Sequence, residues 1–285
     1  MTYPEAVNLP FNHEIIRKTF SPGTPDRDPG GPGWWIIVRG GELVVVERDG
    51  RFDLADGELP PWCGDAEPLF IGLLEGRPLR AVAVARTVEL PAGFRAEPFN
   101  ATDDLLDDRL LTLGGLAHQI LAWERGSRFC SVCGNGTEWM GGSWGRRCRE
   151  CGREHYPHIH PCIIVLVRRN DEFLLARKAV WPAGRYGLVA GFVDFGESLE
   201  ECVVREVREE TRLEVTNIRY VGSQNWPFPS QLMAGFVADY AGGEINVGED
   251  ELEDARWFCI GNLPAALPGK RSIARWIIDR YALHV

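Results

Sequence analysis

The sequence predicts an α/β protein in three parts: an α+β region over 1–126, a four-cysteine ribbon over 127–156 and an α/β region over 157–285. Three observations carry this. Two CxxC pairs divide the chain near its middle. Apolar runs rich in β-branched residues and bounded by turn residues lie on both sides of them. One strongly acidic segment beyond residue 190 has a helical period.

In the first region, the Pro/Gly-rich stretch from Ser21 to Gly33 reads as loop. Residues 34–38 and 42–48 flank Gly40-Gly41, a hairpin signal. Residues 80–88 form a further strand candidate with Val82, Val84 and Val88 on one face, although Arg86 interrupts the alternation. From Asp103 to Arg125, Leu106, Leu110, Leu113, Ala117, Ile120 and Leu121 recur at helical spacing, with Thr102 or Asp103 as the cap. No constellation of reactive side chains occurs here, so a structural or dimer-forming role is expected.

The second region contains Cys130-Ser-Val-Cys133, fourteen intervening residues, and Cys148-Arg-Glu-Cys151, each pair followed by a glycine. A CxxC turn presents two sulfurs to one ion, and two such turns complete a tetrahedral zinc site. Four thiolates leave no open position, so the Zn²⁺ is structural. His155, His158 and His160 are then superfluous as ligands. Arg146, Arg147, Arg149 and Arg153 keep a nucleic-acid-binding role for the ribbon open. The other four cysteines are scattered, mostly in apolar contexts, and read as small core residues.

The third region opens with a strand over 162–168 and another over 172–176, turning at Asn170-Asp171. A loop from Gly191 to Gly196 leads into a helix capped by Ser198, with Glu201 completing a capping box. At about 100° per residue, Glu206, Glu209 and Glu210 share one face. Three clustered carboxylates repel one another, and hard cations such as Mg²⁺ or Mn²⁺ relieve this. Such a face suits cation-assisted hydrolysis of a phosphate ester or anhydride. Taken alone, an acidic helix is more often a solvated surface.

Composition bounds the function. Apolar residues make up 45% and charged residues 25%, as in an ordinary globular protein. A net charge of −10 argues against a chain whose main task is gripping nucleic-acid backbone. No apolar run reaches the ~20 residues that span a bilayer, so no membrane partner is expected. Residues 1–10 lack the basic and apolar parts of a secretory signal, and with the paired cysteines this predicts the cytoplasm.

The spacing Gly191, Glu197, Arg205-Glu206-Val207-Arg208-Glu209-Glu210, Leu213 resembles the Nudix box. Ser223-Gln224-Asn225-Trp226-Pro227-Phe228-Pro229-Ser230-Gln231 resembles the SQPWPFPxS motif of the bacterial NADH pyrophosphatases, Nudix enzymes that also decap NAD-capped RNA. The ribbon, the box and this motif follow in that family's order. The resemblance implies a Nudix α/β/α sandwich with a mixed sheet, a homodimer, and cleavage of the diphosphate of NADH or NAD⁺. It implies divalent-metal contacts from Glu206, Glu209, Glu210, Glu251 and the carbonyl of Ala190. Arg205 would hold the carboxylates, and which Glu is the general base stays open. It further implies substrate contacts from Tyr156, Phe192, Ala274 and the 224–231 segment. Within that segment, Trp226 and Phe228 are expected to be displayed for stacking on bases, or else packed into the core. Three positions depart from the family: Arg212 replaces a helix-ending Gly, Asn225 replaces a Pro and Gln231 replaces a Ser. The rival readings are a Nudix hydrolase of another dinucleotide, such as ADP-ribose, and a zinc-ribbon binding protein with a silent Nudix domain.

Overall fold

The structure is a computed structural model that describes residues 5–48, 50–99, 105–247 and 252–284. Its contacts define two units, one of His13–His158 with Pro227–Ser230, the other of residues up to Asn12 with Ile159–Trp226 and Gln231–Val285. This grouping cuts across the three sequence regions. Ala6 and Leu9 lie in the core of the C-terminal unit, and the four-cysteine segment groups with the N-terminal one.

The N-terminal unit holds strands β1 (Phe20–Pro22), β2 (Gly33–Arg39), β3 (Glu42–Arg48), β4 (Arg51–Asp53), β5 (Ala55–Gly57), β6 (Leu69–Leu74), β7 (Arg77–Val84) and β8 (Phe94–Pro98). They form one sheet in the order β1-β6-β7-β2-β3-β4, with β5 on β2 and β8 on β3. The β2–β3 hairpin turns at Gly40-Gly41 as expected, both with positive φ. The strand expected to reach Val88 stops at Val84, and Arg86 lies in the loop beyond. Helix α1 (Asp108–Gly126) buries Leu110, Leu113 and Ala117. It starts later than its apolar pattern, because the Asp107 side chain caps it by accepting from the Leu110 N–H at 2.7 Å. Thr102 and Asp103, the expected caps, lie outside the described residues. A small sheet of β9 (Thr137–Trp139), β10 (Arg146–Cys148) and β11 (Glu154–His155), in the order β11-β10-β9, holds Cys148, and the other three cysteines of the quartet lie outside its strands.

The C-terminal unit holds β12 (His160–Arg169), β13 (Glu172–Arg177), β14 (Val189–Phe192), α2 (Leu199–Thr211), β15 (Glu214–Trp226), β16 (Gln231–Gly242), β17 (Asp254–Phe258) and α3 (Ile273–Ile278). The sheet runs β15-β16-β12-β13-β17 with β14 also on β12, and β12 lies parallel to β16 while its other neighbours are antiparallel. This is the expected mixed sheet. Ile163, Val165 and Val167 of β12 pack with Cys202, Val203 and Val207 of α2. Ile164 and Leu166 point the other way, to Ile273, Trp276 and Ile277 of α3. Burial on both faces explains why β12 reads as an unbroken apolar run rather than an alternating one.

The two large sheets share a plan. In each, a central strand (β2, β12) pairs in parallel with the second strand of a hairpin (β7, β16). The central strand also carries two antiparallel neighbours (β3 and β5, β13 and β14). The difference lies between the third and fourth of these strands. The C-terminal unit places the acidic helix α2 there, whereas the N-terminal unit has only a short 3₁₀ turn, Pro61–Cys63, between β5 and β6. Among the described residues, the N-terminal unit thus has no counterpart of the acidic helix between these strands.

Candidate active site

Helix α2 is built as its sequence predicts. Glu201 N–H donates to the Ser198 hydroxyl at 3.2 Å, and the Ser198 N–H donates back to Glu201 at 2.8 Å. The helix ends at Arg212, whose φ of 61° and ψ of 14° are left-handed. An arginine thus adopts the conformation a glycine takes without cost, at about 1 kcal/mol. Arg212→Gly is expected to gain about 0.5–1 kcal/mol, read as a higher urea midpoint at unchanged m. A loss of stability would show that the Arg212 side chain contributes more than the backbone strain costs.

The Arg205 guanidinium organises the acidic face. Its Nε and Nη2 donate to the two carboxylate oxygens of Glu197 at 2.6 and 2.9 Å. Its Nη1 reaches both Glu206 and Glu209 at 2.9 Å, and Nη2 donates to the Phe192 carbonyl at 2.8 Å. Arg205, with the Asp194 N–H, holds the Glu197 carboxyl down at about 2. Glu206 and Glu210 are buried, at 8% and 5% exposure, while Glu209 is exposed. Lys178 Nζ lies 3.7 Å from Glu210 Oε1.

Glu206 lies flat against the backbone of β14. A Cβ at Gly191 would sit 1.9 Å from its carboxyl carbon. Only a residue without a side chain leaves that space. Beside it opens a cleft of about 440 Å³ lined by Lys178, Ala190, Phe192, Glu206, Gln231 and Met233, among others. Burial pushes the nearby thiols of Cys162 and Cys202 up to about 11 and about 12, so neither is an activated nucleophile. The donors around the cleft are carboxylate and carbonyl oxygens, which suit hard divalent cations rather than soft ones.

The four cysteine sulfurs all lie within 4.8 Å of one another, and among the described residues no other set of three or more ligand side chains is so closely gathered. Sγ–Sγ distances of 3.4, 3.6 and 3.7 Å fit a tetrahedron with bonds of about 2.3 Å, whose edges are about 3.8 Å. Gly134 and Gly152, at φ +75° and +71°, turn the chain after each pair. The quartet fits zinc as it stands. The glutamates instead form an open acidic face, as expected for a cation that keeps several waters.

A NUDIX domain model matches residues 158–278, and an NADH pyrophosphatase-like rudimentary NUDIX domain matches residues 32–123. The NAD-capped RNA hydrolase NudC of Pseudomonas aeruginosa is 46% identical over 87% of this chain and 89% of that protein. Its namesake from Pseudomonas fluorescens is 42% identical over 88% and 90%. The chain belongs to the NudC family of Nudix hydrolases. A Nudix hydrolase structure from Nitrosomonas europaea aligns at 24% identity with 54% of this chain and 92% of that chain, at a TM-score of 0.46. The rudimentary domain is the N-terminal sheet described above, a repeat of the NudC catalytic plan without its helix.

Of the residues that the sequence nominated in this NudC-family chain, Ala190, Phe192, Arg205, Glu206 and Gln231 line one cleft, and Glu209 and Glu210 continue the same helix. Glu251 lies outside the described residues. Ala274 sits in the first turn of α3. Tyr156 is half-exposed just beyond β11, its hydroxyl donating to Glu154 at 2.8 Å, and belongs to the N-terminal unit, whereas Phe192 belongs to the C-terminal one.

The aromatic segment differs from the displayed-ring expectation. Trp226 packs edge-on to Phe11 at 5.6 Å between centroids, and Phe228 packs against Phe99 and His118, each at 5.8 Å. Gln224 is fully buried: its amide donates to the carbonyls of Pro10 and Arg271 at 2.8 Å, and its oxygen accepts from the Ile273 N–H at 2.7 Å. It braces β15 against the start of α3. The Asn225 N–H donates to Asn12 at 2.8 Å, a bond no proline could make. Sequence reading missed Lys178, Asn12 and His118. Each is a lone polar residue remote in sequence from its partner, so no local pattern marks it.

Proposed function

We propose that this chain hydrolyses the diphosphate of NADH and NAD⁺ to nicotinamide mononucleotide and AMP, and cuts 5′-NAD-capped RNA at the same bond to leave a 5′-monophosphate. The reading rests on likeness that runs through both Nudix-type domains and about nine-tenths of the length of proteins named NAD-capped RNA hydrolases. The intact acidic face supports it.

Water adds to one phosphorus of the diphosphate, the bridging P–O bond breaks, and the water's proton passes to a carboxylate. Glu206, Glu209, Glu210, Glu251 and the Ala190 carbonyl would hold Mg²⁺ or Mn²⁺, which when bound neutralises diphosphate charge and acidifies water. Arg205 fixes the positions of Glu206 and Glu209, and Glu197 in turn fixes Arg205. Tyr156 and Phe192 would bind the nicotinamide or base ring, and Ala274 and the 224–231 segment would complete the substrate contacts, the buried Gln224 acting by bracing the start of α3. Zn²⁺ serves the ribbon only. No helix among the described residues is long and apolar enough to cross a membrane. All eight cysteines are free, in keeping with a reducing cytoplasm. Like its family, the chain would act as a homodimer.

The test offers purified protein with Mg²⁺ or Mn²⁺ equal concentrations of NADH, NAD⁺, ADP-ribose and a short NAD-capped RNA. NADH or the capped RNA is expected to lead in kcat/KM by about tenfold or more, about 1.4 kcal/mol of discrimination. Glu210→Gln is expected to be inactive. Equal cleavage of ADP-ribose would move the enzyme to another dinucleotide class. Full activity of Glu210→Gln would remove the acidic face from the mechanism.

A further inference from the structure

The loop Pro227–Ser230 groups by its contacts with the N-terminal unit, although the chain enters it from β15 and leaves it into β16. Three contacts hold it there. His118 of α1 makes a hydrogen bond of 2.7 Å between Nδ1 and the Pro227 carbonyl. A carbonyl can only accept, so this nitrogen carries the proton. The ring of Phe228 sits 5.8 Å from both the His118 and the Phe99 rings, and those two lie 5.5 Å apart. Phe99, just past β8, is itself buried. Phe228 is thus the third ring of a closed cluster. Directly after the loop, the first and third residues of β16, Gln231 and Met233, line the cleft.

We propose that His118 and Phe99 are positioning residues for the reaction: they peg Phe228 and the Pro227 carbonyl, and so set where Gln231 and Met233 stand at the cleft. His118 and Phe99 thereby contribute to substrate binding without touching substrate. On this assignment the SQNWPFPSQ segment is chiefly an anchor. The inference rests on the proposed diphosphate hydrolysis for its kinetic arm only.

The experiment compares full-length His118→Leu, His118→Asn and Phe99→Leu with the parent, by amide hydrogen exchange and by NADH kinetics. Loss of one buried hydrogen bond corresponds to roughly tenfold in an equilibrium. His118→Leu should raise exchange at Phe228, Ser230 and Gln231 about tenfold and raise KM for NADH by a similar factor, with kcat within about twofold. In His118→Asn the carboxamide N–H can replace the imidazole donor and should bring both readouts back to within about threefold of the parent. Phe99→Leu should loosen the same amides, and it decides the question if His118→Leu does not fold. Unchanged exchange at these amides in a folded His118→Leu overturns the proposal. So does a fall in kcat at constant KM, or a failure of His118→Asn to restore either readout. If no variant, including the parent, cleaves NADH, the functional reading has failed, and the exchange arm still decides whether His118 holds the loop.

Discussion

Replacing Gly191 by alanine is expected to lower kcat/KM for NADH by about a hundredfold or more while leaving the fold in place. The added methyl would fall 1.9 Å from both the carboxyl carbon and Oε1 of Glu206 and 2.3 Å from Oε2. No rotation of the methyl relieves contacts that short, so Glu206 must leave the β14 backbone or β14 must shift. Glu206 is buried and bonded to Arg205, which also holds Glu197 and Glu209, so its displacement disturbs the whole face. Misplacing a reacting group by about 1 Å costs on the order of a hundredfold in rate. Overpacking costs about 1–3 kcal/mol of stability. Shortening the partner should relieve the clash: Gly191→Ala with Glu206→Asp should be more stable than the sum of the single changes, by about 0.5 kcal/mol or more. Thermal melts and NADH kinetics on the four proteins decide it. A single Gly191→Ala variant within threefold of the parent would mean that Glu206 does not need this position.

Much of the C-terminal unit was legible because its signals are local. Ser198 and Glu201 lie three residues apart, the glutamates of α2 recur at helical spacing, and the two CxxC pairs state their own geometry. The unbroken run of β12 also speaks for itself, since a strand buried on both faces has no polar side to alternate with. What stayed hidden depends on distant partners. Gln224 is bonded to Pro10, Arg271 and Ile273, none of which lies near it in sequence. The sequence leaves Phe228 open between a displayed and a packed ring, because Phe99 and His118, which lie against it, are distant in the chain. The duplicated sheet escaped notice because it conserves strand order and direction, which many sequences satisfy, while the acidic helix that would have marked it is absent. Arg212 is the converse case. The chain kept the left-handed helix end and changed the residue, so the backbone obeys a rule that the sequence breaks.

Loss of zinc is expected to unfold the ribbon and to loosen the end of α1 with it. The ribbon's strands are only two or three residues long, too few to bury a core of their own. Metal binding supplies an apparent ~10–16 kcal/mol to comparable small zinc modules, so zinc on the thiolate quartet would be the main source of its stability. The loss would spread because the ribbon is tied to α1 by specific bonds. Thr137 donates to the Ser127 carbonyl at 2.6 Å, the buried Arg146 donates to Thr137 at 2.7 Å and lies 3.5 Å from Glu124, and Trp123 of α1 packs on Trp139 at 5.6 Å. Cys148→Ser should therefore lower the melting midpoint by at least about 6 °C, since a few kcal/mol shifts a chain of this size by about 2–4 °C per kcal/mol. Elemental analysis should find one zinc per chain in the parent and a loss in the variant. Brief chelation followed by excess Mg²⁺ or Mn²⁺ should restore any activity lost from the cleft, whereas neither ion should restore the midpoint of Cys148→Ser, because hard cations bind thiolates poorly. A parent protein free of zinc that melts like Cys148→Ser would show that the four sulfurs are held together by the fold alone.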